Sequence, residues 1–245
     1  MIGLGGAASA GDVPQIRYLD RPSGVMVQTE AATQDTAFAI ASVGKTMTAV
    51  ASLRRVDRGR LGLEDKAAAW IAPDIVQAFG GLNGITLRHL LTMTSGIPDY
   101  YTEDYLEDAL DDPDRIQRAD IALSYAFGEP QLFEPGTDFD YSNTNYVLLG
   151  LILEAETGKS YAGAMQQEVF APAGMTNSFV FGSRPLPSGF ADVPDEVRRY
   201  YQGAGFGDGG VIATAADVAQ FYRTLFIDQT LLPSDLLVAL ATDPL

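Results

Sequence analysis

Phe38-Ala39-Ile40-Ala41-Ser42-Val43-Gly44-Lys45-Thr46 is the stretch on which the fold turns. An apolar run leads into a serine, a lysine follows three positions later, and apolar residues then recur at helical spacing. Met47, Val50, Leu53 and Leu61 fall near a 3.6-residue period and Gly59 stops the pattern, so a helix is expected over residues 42–58. The i, i+3 spacing puts the Ser42 hydroxyl and the Lys45 amine on one face of it. Ser42 stands at the helix start, where free N–H groups and the helix dipole favour a developing negative charge. A hydroxyl becomes a useful nucleophile only beside a base, and a desolvated lysine can be that base. The plain alternatives are a helix N-cap for Ser42 and a surface charge for Lys45. Against them stands the apolar setting on both sides of the pair, which argues that Lys45 is not fully solvated.

Outward from this helix, 245 residues suffice for one large domain or for two lobes sharing a cleft. At 47% hydrophobic and 20% charged residues, the composition excludes disordered, collagen-like and coiled-coil chains. Thirty-two acidic residues against 16 basic leave a net charge of −16, a field that repels a phosphate backbone, so no nucleic-acid partner is expected. The absence of cysteine removes disulfides, thiolate metal sites and a cysteine nucleophile together. With His89 as the single histidine, no site can use two imidazoles. No apolar run approaches the 18 or more residues of a membrane span. Residues 1–10 are small, like a secretory cleavage region, but lack a basic start; a clipped signal tail and a disordered leader are both open.

Residues 16–19 and 25–28 read as short strands around Asp20-Arg21-Pro22-Ser23-Gly24, a turn sequence. Residues 87–93 read as a short helix ending at Ser95-Gly96-Ile97-Pro98. Nine carboxylates between Asp99 and Asp120 lack the alternating ligands and central glycine of a calcium loop, so they read as a solvated helical face. Asp140-Tyr141-Ser142-Asn143 reads as a loop, followed by an apolar helix over residues 146–156 closed by Thr157-Gly158. Thr214-Ala215-Ala216-Asp217 reads as a capping box opening a helix to about Phe226. Gly205-Phe206-Gly207-Asp208-Gly209-Gly210 satisfies G-x-G-x-x-G, and Gly3-Leu4-Gly5-Gly6-Ala7-Ala8 its alanine-ended variant. A dinucleotide site needs an apolar strand before and a helix after. Arg198-Arg199-Tyr200-Tyr201-Gln202 is no buried strand and upstream of Gly3 there is no room for one, so both are expected to be flexible loops.

With 12 serines, three lysines, 11 tyrosines and four asparagines, S-x-x-K and Y-x-N would occur together by accident only ~0.03 times. Tyr141-Ser142-Asn143 therefore counts beside Ser42-Val43-Gly44-Lys45. The chain resembles the serine β-lactamase-related hydrolases, the branch of class C β-lactamases, D-alanyl-D-alanine carboxypeptidases and related esterases. The resemblance spans residues 36–245. It rests on the Ser42 stretch, Leu87-Arg88-His89-Leu90-Leu91-Thr92-Met93-Thr94-Ser95-Gly96-Ile97, Glu134-Pro135-Gly136 before Tyr141-Ser142-Asn143, and Gly209-Gly210-Val211-Ile212-Ala213-Thr214-Ala215-Ala216-Asp217.

The resemblance implies Ser42 as the acylated nucleophile, Lys45 and Tyr141 as its proton shuttles, and Asn143 as the residue that binds the substrate's acyl side or steadies Lys45. The Ser42 N–H would be one oxyanion donor, and His89 a packing residue. It also implies a small-molecule or peptidoglycan-like substrate and a periplasmic or secreted location, though no complete signal peptide is present and a cytoplasmic one stays open. The family's third motif, Lys-Thr-Gly, His-x-Gly or Trp-x-Gly on a late strand, has no match here. The expected fold is therefore α+β, an antiparallel sheet flanked by helices with a large inserted helical region, incomplete at its C-terminal strands. Residues 1–61 would begin the sheet domain with the nucleophile helix, 62–212 form the mainly helical region, and 213–245 return toward the sheet. The expected function is a serine hydrolase of esters, D-amino-acid amides or β-lactams, esterase or peptidase-like, using no cofactor and no metal. The alternative is a non-catalytic or weakly active relative that binds such ligands, and an unpaired sheet edge would favour association.

Overall fold

The computed structural model describes residues 17–21, 24–28, 35–112, 114–187, 190 and 205–242. The readings of residues 1–10 and of 198–202 lie outside these. The first two strands, β1 (Arg17–Arg21) and β2 (Gly24–Gln28), form an antiparallel pair with Arg17 opposite Gln28 and Arg21 opposite Gly24. Next come β3 (Ala37–Ala39) and helix α1 (Val43–Asp57). A helical stretch follows: α2 (Pro73–Ala78), α3 (Leu87–Leu91), α4 (Glu103–Asp111), α5 (Ala119–Leu123), α6 (Asn143–Thr157), α7 (Tyr161–Met165) and α8 (Ala171–Ala173). The chain returns through β4 (Phe179–Val180) and β5 (Val211–Thr214) and ends in α9 (Ala215–Tyr222) and α10 (Ser234–Thr242). The architecture is α+β.

β5 is the centre of a three-stranded antiparallel sheet in the order β3-β5-β4. All four of its residues are buried, and they alternate between faces as a strand must. Val211 and Ala213 enter the main core with Met47, Val50 and Leu53 of α1 and Val147, Leu148 and Ile152 of α6. Ile212 enters a smaller cluster with Ala37, Phe179, Phe181 and Phe190 on the opposite face. The register sets Ala39 opposite Ile212, and the Ile40 N–H bonds the Val211 carbonyl at 3.0 Å. The chain entering β5 thus lies beside the chain leaving β3, which is where Ser42 stands.

The far end of α1 is held by charge. Glu168, on a π-helical turn over Gln166–Phe170, has no solvent exposure and meets Arg54, Arg55 and Arg58 at 3.4, 3.1 and 2.8 Å. Burial pushes its carboxyl up, but Gln167 and the three arginines outweigh that and hold it below the usual range. Arg55 also forks onto Glu156 of α6 at 2.6 and 2.7 Å, which holds that carboxyl down as well.

Several details depart from the sequence expectations. α6 begins at Asn143, three residues before its apolar run, and Gly158 closes it with φ of 65°. Thr214 accepts the Asp217 N–H at 3.1 Å, but the Asp217 carboxylate bonds Asn177 N–H and the Ser178 hydroxyl instead of returning to the cap, so only half a capping box forms. α4 bears out the solvated acidic face, burying only Tyr105 and Ala109. His89 packs as expected. Its Nδ1 accepts the Thr86 N–H while its own N–H bonds the Thr86 hydroxyl, and burial holds the imidazole below its ordinary value. Among the described residues no helix is long and apolar enough to cross a membrane.

Candidate active site

Ser42 precedes the first residue of α1 and makes no side-chain cap to it, so its hydroxyl is free for other partners. Ala41 before it holds φ at 46°, in the left-handed region that costs a residue with a Cβ. The Val43, Gly44 and Lys45 N–H groups close turns onto Ile40, Ala41 and Ser42 carbonyls. Among the described residues the Ser42 N–H has no acceptor.

The structure brings the four residues singled out in the sequence together. Lys45 Nζ lies 3.1 Å from Ser42 Oγ, and the Tyr141 hydroxyl donates to the same oxygen at 3.0 Å. Lys45 is only 6% exposed, whereas Tyr141 is 48% exposed, so the lysine forms the floor of the site and the tyrosine its rim. Lys45 Nζ also donates to Asn143 Oδ1 at 2.7 Å and to the Asp208 main-chain carbonyl at 2.5 Å, and stands 5.2 Å from the Tyr141 ring centroid. Behind it, Tyr146 on α6 is pushed up to about 12 by burial and by the neighbouring Tyr141, so its hydroxyl stays protonated on the Leu91 carbonyl at 3.0 Å.

Two acids that the sequence reading did not place complete the surroundings. Asp99, counted there among solvated carboxylates, accepts the Asn143 side-chain Nδ2 at 2.8 Å and the Asn143 main-chain N–H at 3.0 Å. Asp208 accepts the Tyr100 hydroxyl at 2.8 Å. Removal from water raises its carboxyl, opposed by the Lys45 charge and the Tyr100 bond.

The 205–210 segment is a loop, as its glycines suggest, and hydrogen bonds fasten it to the core. The Thr48 hydroxyl donates to the Gly207 carbonyl at 2.6 Å, and the Tyr161 hydroxyl lies 2.7 Å from the same threonine oxygen. Burial raises the Tyr161 phenol. Gly207 is required there, because a Cβ would collide with the Tyr146 carbonyl oxygen of α6. Strand β5 follows instead of a helix, so the nucleotide pattern is absent. The signal available in the sequence was glycine alternating just before a short apolar strand, which marks close backbone approach.

An α+β chain in which a serine, a lysine and a tyrosine meet in this way stands in the class of β-lactamase-fold hydrolases. The chain belongs to the Beta-lactamase family, whose model matches residues 15–245. Penicillin-binding protein 4* of Bacillus subtilis (strain 168) is 34% identical over 212 residues, covering 78% of this chain and 45% of its own length. The chain spans less than half the length of the curated relatives it matches. Among solved structures, the D-stereospecific amidohydrolase from Streptomyces sp. is similar with a TM-score of 0.76 at 27% identity, over 94% of this chain and 72% of that one. The penicillin binding protein from Bacillus halodurans is similar with a TM-score of 0.73 at 26% identity, over 92% and 71%.

Proposed function

We propose that this chain is a serine hydrolase that forms a Ser42 acyl-enzyme with carboxylic esters and D-amino-acid amides, and that β-lactams acylate the same serine. The observation that carries this reading is the placing of Ser42 Oγ within hydrogen-bond reach of both Lys45 Nζ and the Tyr141 hydroxyl. As a free amine Lys45 has two N–H donors. Asn143 Oδ1 and the Asp208 carbonyl, which can only accept, occupy both of them, so the nitrogen lone pair is left facing Ser42.

Lys45 then takes the hydroxyl proton as Oγ bonds the acyl carbon. The carbonyl oxygen gains negative charge at the start of α1, where the Ser42 N–H, without an acceptor among the described residues, can meet it. As the tetrahedral centre collapses, the bond to the leaving oxygen or nitrogen breaks. Tyr141, at the open rim, passes that group a proton and recovers one from Lys45. Water deprotonated by the same pair adds to the acyl carbon, the bond to Ser42 Oγ breaks, the pair returns the proton to Oγ, and the acid leaves. Asn143 steadies Lys45 in this scheme. The D-stereospecific amidohydrolase among the similar structures supports the choice of D-amino-acid amides.

The test is covalent labelling by a fluorophosphonate and by a fluorescent penicillin, read by intact mass. Wild type should gain one adduct on Ser42, and Ser42→Ala should gain none. Equal labelling of the Ser42→Ala protein would end this assignment.

A further inference from the structure

Asn143 can hold Lys45 only if its amide faces the right way. Its oxygen must point at Lys45 Nζ, since the NH₂ end would set donor against donor. Nothing within the amide enforces this choice, because its two ends are nearly the same shape. The Asp99 carboxylate enforces it. Asp99 Oδ1 accepts two main-chain N–H groups, from Asn143 at 3.0 Å and Tyr101 at 3.2 Å, while Oδ2 accepts Asn143 Nδ2 at 2.8 Å. A carboxylate has no donor to offer, so only the NH₂ end of Asn143 can face it and the oxygen is turned to Lys45.

The segment bearing Asp99 is itself pinned to the start of α6. Thr144 Oγ1 donates to the Pro98 carbonyl at 2.7 Å and accepts the Tyr100 N–H at 2.9 Å. Ser95 Oγ donates to Asn145 Oδ1 at 2.5 Å. Ser142, in the position where a helix cap would sit, has no partner for its hydroxyl among the described residues, and Asp99 takes a first-turn N–H.

We infer that Asp99 is a positioning residue for acyl transfer: its carboxylate fixes the Asn143 amide so that Oδ1 holds Lys45 against Ser42. This rests on the reading of Lys45 as the base that serves Ser42. Asp99→Asn isolates the claim, because shape is kept and only the hydrogen-bond sense changes. The two main-chain N–H groups retain the oxygen of residue 99, so its new NH₂ faces the Asn143 side chain. Asn143 must then turn its oxygen to residue 99 and its NH₂ to Lys45. The double variant D99N/N143D moves the carboxylate to position 143, where it accepts from both residue 99 and Lys45, restoring the original sense.

The experiment measures the rate of Ser42 adduct formation with a p-nitrophenyl ester by stopped mass spectrometry, with thermal melting of each variant as the folding control. We expect D99N to acylate about 10²-fold more slowly than wild type with kcat falling more than KM rises, and D99N/N143D to recover most of that loss. D99N within threefold of wild type overturns the inference, as does a double variant no faster than D99N while both melt like wild type. If wild type forms no adduct on Ser42, the catalytic reading fails instead. The side-chain amide ¹⁵N–¹H signals of Asn143 then decide on Asp99 without turnover. Shifted and faster-exchanging signals in D99N, restored to a carboxylate-bound pattern by no other neighbour, support the fixed orientation; unchanged signals overturn it.

Discussion

Lys45→Arg separates a base from a charge. Arginine keeps the positive charge and hydrogen-bonding capacity but does not deprotonate in a protein, so it cannot accept the Ser42 proton. In the structure the nitrogen that would accept it lies 3.1 Å from Ser42 Oγ, within reach for direct transfer. A positioned general base contributes about 10²–10⁴ in rate, equivalent to about 2.7–5.5 kcal/mol of barrier. Tyr141, 3.0 Å from the same oxygen, is the group able to replace it. A loss near 10² would mean that Tyr141 takes over in part, and a loss near 10⁴ that it does not. The guanidinium must also fit a site where the native side chain is only 6% exposed. The melting temperature is therefore measured beside the acylation rate, and Lys45→Ala serves as the uncharged control. Both variants should lose acylation to a similar degree. A Lys45→Arg protein within tenfold of wild type would refute the base assignment and leave the lysine an electrostatic support.

Glu168→Ala removes the common partner of three arginines while Arg55 keeps Glu156, so the cost should fall near the lower end of the range for breaking a buried pair, about 3 kcal/mol. For a chain of this size that lowers the melting temperature by about 6–12 °C, and a fall below about 2 °C in thermal melts would show that the cluster holds little. Acid should act through Glu156, whose carboxyl the Arg55 hydrogen bond holds below its ordinary value. A lowered folded-state value gives stability that is complete above the unfolded carboxylate range and lost as pH falls from there through the lowered folded-state value. Wild type should accordingly lose melting temperature between about pH 5 and pH 3, and Glu156→Gln should start lower and lose less over that interval; parallel curves would exclude Glu156 as a contributor.

Local chemistry was legible wherever it repeats at a fixed spacing. The α1 helix, with Ser42 and Lys45 on one face, follows from periodicity, as does the apolar run of α6 and its stop at Gly158. The β1–β2 pair follows from its turn residues. What stayed hidden depends on contacts distant along the chain. Asp99 has the same charge as eight carboxylates that follow it, and only a bond to a residue 44 positions away sets it apart. Its place directly after Pro98, outside the helical part of the acidic segment, was the available hint. Asp208 joins the site through its main-chain carbonyl, a group every residue carries, so no residue type could announce it. The left-handed Ala41 was hidden too, because that conformation is imposed by what packs around it.

The same contacts explain why three short pieces of chain can hold a reactive geometry. α1 is gripped at its far end by Glu168 and Glu156 and at its near end by the acceptors around Lys45. Each of those acceptors is fixed by something other than the lysine. Asn143 is turned by Asp99, and the Asp208 carbonyl is carried on a segment tied to Thr48 by Gly207 and to Tyr100 by the Asp208 side chain. Thr48 lies on α1 itself, one turn beyond Lys45, so the segment that positions the lysine is fastened to the lysine's own helix. A displacement of α1 therefore carries that acceptor with it, and the Lys45–Asp208 distance is protected against helix movement. The Asn143 contact is tied to α1 more remotely, through the core that α1 and α6 share and the Arg55–Glu156 pair at the far end of α6, and near the site the amide is held by Asp99. The Asp208 acceptor is a main-chain carbonyl that no side-chain exchange at 208 removes, whereas the Asn143 acceptor is a side-chain oxygen whose direction an isosteric change at position 99 can reverse, which is why position 99 offers the sharper probe of how Lys45 is held.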